Sequence, residues 1–287
     1  MVNFASILVS GLIMSALYAL VSLGFTLIVS LRGVVNLAYG GFFLISAYTY
    51  FTLVAQQGLD TLLSFGVAVL VAAVASLVLY LALVRYIEHD EEQTFIATFL
   101  VAFILQELFT YQFGSPDQLL TDPFDGVVDV LGIAVSYTQI AALVSATVII
   151  GLFILFINYT RTGRAIIAMS LDEVGANLVG VNTARVNYVT WLISGAMAGV
   201  AGLFLGLFFS ASPTMWLDPL LIAFAIVIVG GIGSIKGTIV AALLIGYVQT
   251  ITVTVWSPSW RGVFAYAILI AIIMVRPQGL FGREVLE

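Results

Sequence analysis

A chain of 287 residues that is 62% hydrophobic and 8% charged, with a mean hydropathy of +1.18, is not a soluble globular domain, where about a quarter of residues carry charge. It reads as a polytopic membrane protein. The net charge of −6 and the lack of clustered Lys and Arg exclude a nucleic-acid partner, and no Cys with a single His leaves no disulfide, thiolate metal site or Cys nucleophile.

Met1 to Ser6 has no basic segment, and the apolar run behind it continues to about Ser30, so the first segment is expected to stay as a span. Runs long enough for membrane helices lie at roughly 5–30, 34–55, 62–84, 95–113, 137–158, 187–209, 219–233, 238–255 and 262–275. The seventh and ninth are short, the pattern of a broken or re-entrant helix. The fold expected is therefore all-α, about nine spans in one transmembrane domain over residues 1–287, with a polar loop at 160–187.

Orientation follows from where the basic residues fall. Placing the 160–187 loop in the cytoplasm puts Arg32, Arg85, Arg161, Arg164, Arg185, Lys236, Arg276 and Arg283 inside and only Arg261 outside. The N-terminus is then outside and the C-terminus inside. Asp60 and Asp218 fall in outer loops, and the longest outer loop, Gly114 to Ser136, carries Asp117, Asp122, Asp125 and Asp129, a surface on which an outside partner can dock. Acidic loops such as His89 to Glu92, with one Lys among nine basic residues, fit a salt-adapted protein or ordinary solvated loops; His89 itself reads as solvated.

Polar residues within the spans are the candidates for a transport pathway, because an unpaired polar group in hydrocarbon is costly. They are Asn36, Tyr39, Ser46, Gln106, Glu107 and Tyr111. Asn36 and Tyr39, three apart, are expected on one helix face beside Gly40 and Gly41, which allow the backbone to bend or approach closely. Interhelical hydrogen bonding is the other reading for Asn36 and Gln106, and Glu107 either serves the pathway or reaches headgroups at the outer end of its helix.

In the polar loop, Ser170-Leu-Asp-Glu173 fits a capping box, predicting a helix of about nine residues, ~13 Å long, ended by Gly180 in a left-handed C′ position. Thr183 is expected to cap the next span. Such a helix lies either on the membrane surface or in the groove of a soluble partner. Beyond it, Gly195, Gly199, Gly202 and Gly206 form small faces at four-residue spacing, for packing within one subunit or between subunits. The glycine run Gly230 to Gly237 matches neither nucleotide-binding pattern and reads as a turn anchored by Lys236.

Thr162-Gly-Arg-Ala, Ala168, Asp172, Ala176, Gly180-Val-Asn and the glycine-rich Ser194 to Gly202 resemble the permease subunits of ABC importers for branched-chain amino acids and the related permeases for urea and simple sugars. Tyr18-Ala-Leu, Gly24-Phe-Thr-Leu-Ile28, Gly33 to Gly40, Val229-Gly-Gly-Ile-Gly-Ser234 and Arg276-Pro-Gln-Gly-Leu-Phe281 extend the resemblance over most of the chain. The last motif favours the amino-acid branch. Two stretches depart from that branch: Tyr39-Gly40-Gly41, and the acidic Arg85 to Glu92 after the third span.

The resemblance implies the importer permease fold, with the loop docking on an ATPase and Arg164, Ser170, Asp172, Glu173, Ala176 and Gly180 in the coupling region. It implies a second permease subunit, two cytoplasmic ATPases, an outside binding protein and a location in the cell membrane. Its ATP sites lie on the partners, with no cofactor or metal on this chain and no enzymatic chemistry. Urea or short amides and simple sugars are the alternative cargoes. An ion-coupled secondary transporter is the alternative class, for which Glu107 is the one coupling group inside a span.

Overall fold

The computed structural model describes residues 4–33, 35–276 and 278–282; Val34, Pro277 and Arg283, which the sequence reading used, lie outside them. Among the described residues, each of the nine apolar runs contains a helix. Seven helices among the described residues are long and apolar enough to cross a membrane. These are α1 (Phe4–Arg32), α3 (Thr61–Leu79), continued by a π turn and the short α4 (Arg85–Ile87), and α5 (Glu91–Phe113). They continue with α6 (Tyr137–Tyr159), α9 (Thr183–Phe209), α11 (Ile235–Val255) and the segment from Pro258 through α12 (Arg261–Val275).

The other two runs are shorter. Helix α2 (Tyr39–Phe51) gains one π turn, Thr52–Gln56, and α10 (Leu217–Gly230) has 14 residues. Fourteen residues rise about 21 Å, less than the ~30 Å hydrocarbon core, so α10 alone does not span.

Helices α1 and α9 form the centre, with 83% and 67% of their apolar windows buried, while α5, α6 and α12 are peripheral at 17%, 22% and 6%. Lipid supplies no hydrophobic drive between helices, so the centre is held by close approach and buried hydrogen bonds. Gly246 of α11 sits so tightly on α1 that a Cβ there would lie 2.6 Å from Ser15 Cα, and Thr26 bonds Thr238 between the same helices at 3.0 Å. On α9, Gly195 and Gly199 face Ala72 and Ser76 of α3, Gly202 faces Phe43 of α2, and Ser194 donates to Gly24 O of α1 at 2.6 Å. The small-residue faces therefore pack helices within this chain.

Several local expectations change. Helix α7 (Arg161–Leu171) occupies the first half of the polar loop, and Ser170 lies inside it, donating to Ile167 O at 2.8 Å. Ser170 is thus no N-cap; Asp172 caps the six-residue α8 (Glu173–Leu178) instead. Asn182 rather than Thr183 caps α9, accepting from Arg185 N–H at 2.9 Å. Asn36 precedes α2 rather than sharing its face with Tyr39.

The long acidic loop contains a hairpin, β1 (Val127–Val130) paired antiparallel with β2 (Ile133–Ser136). Leu131 and Gly132 both have positive φ, 57° and 79°, as a tight two-residue hairpin turn requires. A capping box does occur in the chain, at Ser136 and Gln139, where α6 begins.

Two motifs far apart in sequence form one unit. Leu280 N–H donates to Val229 O at 2.8 Å and Phe281 N–H to Gly230 O at 3.1 Å, fastening the C-terminal stretch onto the glycine turn between α10 and α11. Gly279, at φ +79°, lies against that turn, with Ile228 O 2.5 Å from where a Cβ would stand.

Candidate functional site

The polar loop is built from two short helices joined at a capped corner. Thr160 ends α6 by donating to Phe156 O at 2.8 Å and starts α7 by accepting from Gly163 N–H at 2.9 Å. Gly163, Ile166 and Met169 are the buried stripe of α7. Gly163 is flush with the end of α6, where a Cβ would stand 2.6 Å from both Ile157 Cα and Ile157 O. Asp172 Oδ1 then accepts from Gly175 N–H at 2.9 Å, turning the chain into α8.

Ala176, 5% exposed, is the buried residue of α8. The helix stops as Gly180 was expected to stop it. Val181 N–H donates to Ala176 O and Gly180 N–H to Asn177 O, both at 3.0 Å, the paired bonds of a Schellman motif. Gly180 has φ +87° with nothing within 4 Å of a Cβ position, so the demand for glycine is conformational.

The opposite face of this pair is bare. Leu171, Val174, Leu178 and Val179 are 59%, 72%, 84% and 81% exposed. Arg164 and Ser170 are exposed on α7, Asp172 is exposed at the corner and Glu173 is half-buried. An apolar strip flanked by arginine on a capped helix pair is a surface shaped for contact.

The residues read as a pathway divide. Asn36 is buried, with Oδ1 accepting from Ala38 N–H at 3.0 Å and Nδ2 without a partner. Tyr39 OH donates to Val21 O at 2.9 Å, fixing the start of α2 to α1, and Gly24 leaves it room. Gly41 faces Leu105 of α5. Gly40 lies against the Trp216 ring, 2.7 Å from a Cβ position, and Trp216 Nε1–H donates to Gln106 Oε1 at 2.8 Å.

Gly40, Gly41 and Gln106 thus meet where α2, α5 and the entry to α10 converge, through a tryptophan that the sequence reading did not single out. The available signal was chemical: a buried indole N–H requires an acceptor. Ser46 stays apart, donating to Phe43 O within its own helix at 3.0 Å. Glu107 is exposed next to Gln106, and Tyr111 is 94% exposed, so α5 carries a polar edge on a face this chain leaves uncovered.

Residues 7–273 match the family model described as branched-chain amino acid transport system, permease component. The chain is 29% identical to the high-affinity branched-chain amino acid transport system permease protein LivH of Salmonella typhimurium, covering 97% of this chain and 95% of that protein. With BraD of Pseudomonas aeruginosa, which carries the same description, it shares 30% identity over 98% and 96% of the two chains. Identity to the permease protein LivM of Escherichia coli is 27%, over 81% of this chain and 60% of that one.

Among solved structures it is similar to PsaBC from Streptococcus pneumoniae in complex with Fab, with a TM-score of 0.51 at 15% identity over 96% of this chain and 94% of that chain, a likeness of fold. The match to the family model takes in the α7–α8 loop, the Gly40–Trp216–Gln106 junction and nearly all of α1 through α12. This multi-pass membrane protein is a transport permease rather than an enzyme, and it belongs to the branched-chain amino acid transport system permease component family.

Proposed function

We propose that this chain is one permease subunit of an ATP-driven importer for branched-chain amino acids, forming the substrate pathway with a second permease subunit. The observation that carries the reading is the bare apolar strip Leu171, Val174, Leu178 and Val179, set on a capped helix pair with Arg164 beside it. Burying such a strip favours association, and ATPase subunits on the same side are the partners whose docking drives transport. The ATP sites belong to those partners, and an outside binding protein delivers the solute.

The chain acts as one transmembrane domain in the cell membrane, N-terminus outside and C-terminus in the cytoplasm. The distribution of basic residues supports this orientation, because a cytoplasmic α7–α8 loop puts every one of them except Arg261 on the same side. The polar edge of α5 at Glu107 and Tyr111 turns toward the second permease subunit, where a carboxylate escapes hydrocarbon. ATP binding then favours one of two arrangements of the helices through contact with α7 and α8, and the solute passes between the subunits.

The test is uptake of radiolabelled leucine into proteoliposomes holding the permease pair, both ATPases and the binding protein. Uptake that requires ATP and is not competed by urea or glucose is expected. Uptake that continues without the ATPases would overturn the reading in favour of a secondary transporter.

A further inference from the structure

At the end of the bundle that carries the hairpin, a cavity of about 420 Å³ opens among α1, α6, α9, α11 and the start of α12. Its size falls in the ~300–1,000 Å³ range of small-molecule sites. It is separate from the junction at Gly40 and Trp216, and its lining is chemically unfinished.

Gln249 is 2% exposed and lines this cavity six residues before the end of α11, roughly 9 Å below the helix end. Its Oε1 accepts from Tyr18 OH at 2.7 Å, and its Nε2 has no partner. Turning the amide over leaves the same deficit, because a phenol serves one end of the amide and the other end stays unmatched. A buried amide half left without a hydrogen bond is costly, and a turn of this cavity-lining side chain would bring it to a ligand atom.

Charge tells what kind of ligand. Arg261 lines the same cavity with its guanidinium 4.3 Å from the Phe209 ring centroid, and among the described residues it has no carboxylate partner. Asp122 adds one acid to the lining, and Ile13, Met14 and Val253 supply an apolar wall. An unpaired guanidinium, one carboxylate, an unmatched amide and an aliphatic wall match the parts of one small molecule.

We infer that this cavity is an outward-facing binding site, on the permease itself, for an apolar α-amino acid. The carboxylate pairs with Arg261, the ammonium faces Asp122, the aliphatic side chain packs on Ile13, Met14 and Val253, and Gln249 takes one head-group hydrogen bond. The naming of an amino acid rests on the transport reading given above; the demand for a carboxylate and an apolar body rests on the cavity.

The test is equilibrium binding of radiolabelled leucine to the full permease complex in nanodiscs, without the binding protein, with leucinamide as the competitor that lacks the carboxylate. Saturable binding is expected, weakened about tenfold or more by Arg261→Gln and by Gln249→Leu, with leucinamide about tenfold poorer than leucine. Arg261→Gln lies in a half-exposed position and keeps the test valid if Gln249→Leu fails to fold.

No saturable binding, or binding that neither variant weakens, overturns the site. Leucine uptake by the complete importer, measured in parallel, separates the two readings. Normal uptake without binding sinks the site alone, and binding without uptake keeps the site and sinks the transport reading.

Discussion

The indole of Trp216 donates to Gln106 Oε1 at 2.8 Å while its ring rests on Gly40, so one side chain joins three elements of the bundle. Gly40→Val is expected to push the ring away and to cost about 1–3 kcal/mol through overpacking. Trp216→Phe keeps a six-membered ring, but it empties the space of the pyrrole half and leaves the Gln106 amide short of a donor, a loss of about 1–3 kcal/mol. Thermal unfolding of the purified protein should place both variants below wild type, and wild-type stability in both would remove the junction from the structural account.

Uncoupling is expected at the end of α8. Gly180→Val forces a β-branched residue to φ +87°, breaking the Schellman stop and moving the apolar strip. Glu173→Lys reverses the charge in the first turn of α8, where the helix dipole favours an acid. Both variants should insert in the membrane and assemble, while leucine uptake per ATP hydrolysed falls several-fold in reconstituted vesicles. Wild-type uptake by both would sink the coupling assignment.

Gly163 makes the contact between α6 and α7. Gly163→Ala places a methyl against Phe156 O and Ile157, neither of which is the flexible end of a side chain, so α7 must lift from the bundle. A destabilisation of about 1–3 kcal/mol is expected. Limited proteolysis should then cut faster within Arg161–Leu171 than elsewhere, and an unchanged cleavage pattern would show that the corner tolerates the methyl.

At the C-terminal stretch, Gly279→Ala meets both a left-handed backbone and the Ile228 carbonyl. The stretch should detach from the glycine turn. The expected loss is about 1–3 kcal/mol, read as a lowered unfolding temperature, and removal of residues 276–287 should lower it at least as much. Equal stability of all three proteins would mean that the two backbone bonds to Val229 and Gly230 contribute nothing.

Much of this architecture was legible in the sequence because a bilayer leaves few alternatives: nine apolar runs became nine helical segments, and Gly180 marked a helix end. Starts were harder. Helix α5 begins at Glu91 because Asp90 accepts from Gln93 N–H at 3.0 Å, several polar residues ahead of its apolar run. In Ser170-Leu-Asp-Glu173 two residues qualify as caps, and packing decides between them. The buried stripe Gly163, Ile166 and Met169 carries α7 through Ser170, which leaves the cap to Asp172. Trp216 escaped notice because its acceptor is 110 residues away, and no local pattern reports a contact of that range.

The seam between α1 and α11 sets a schedule for making the protein. Thr26 and Thr238 lie 212 positions apart, and α1, the most buried of the spanning helices, leaves the ribosome long before α11. Until α11 is inserted, the small and polar face at Ser15 and Thr26 waits in lipid without its partner. Nascent chains stopped short of α11 therefore present that face to the membrane's quality-control proteases, and full-length chains are protected as soon as the seam closes.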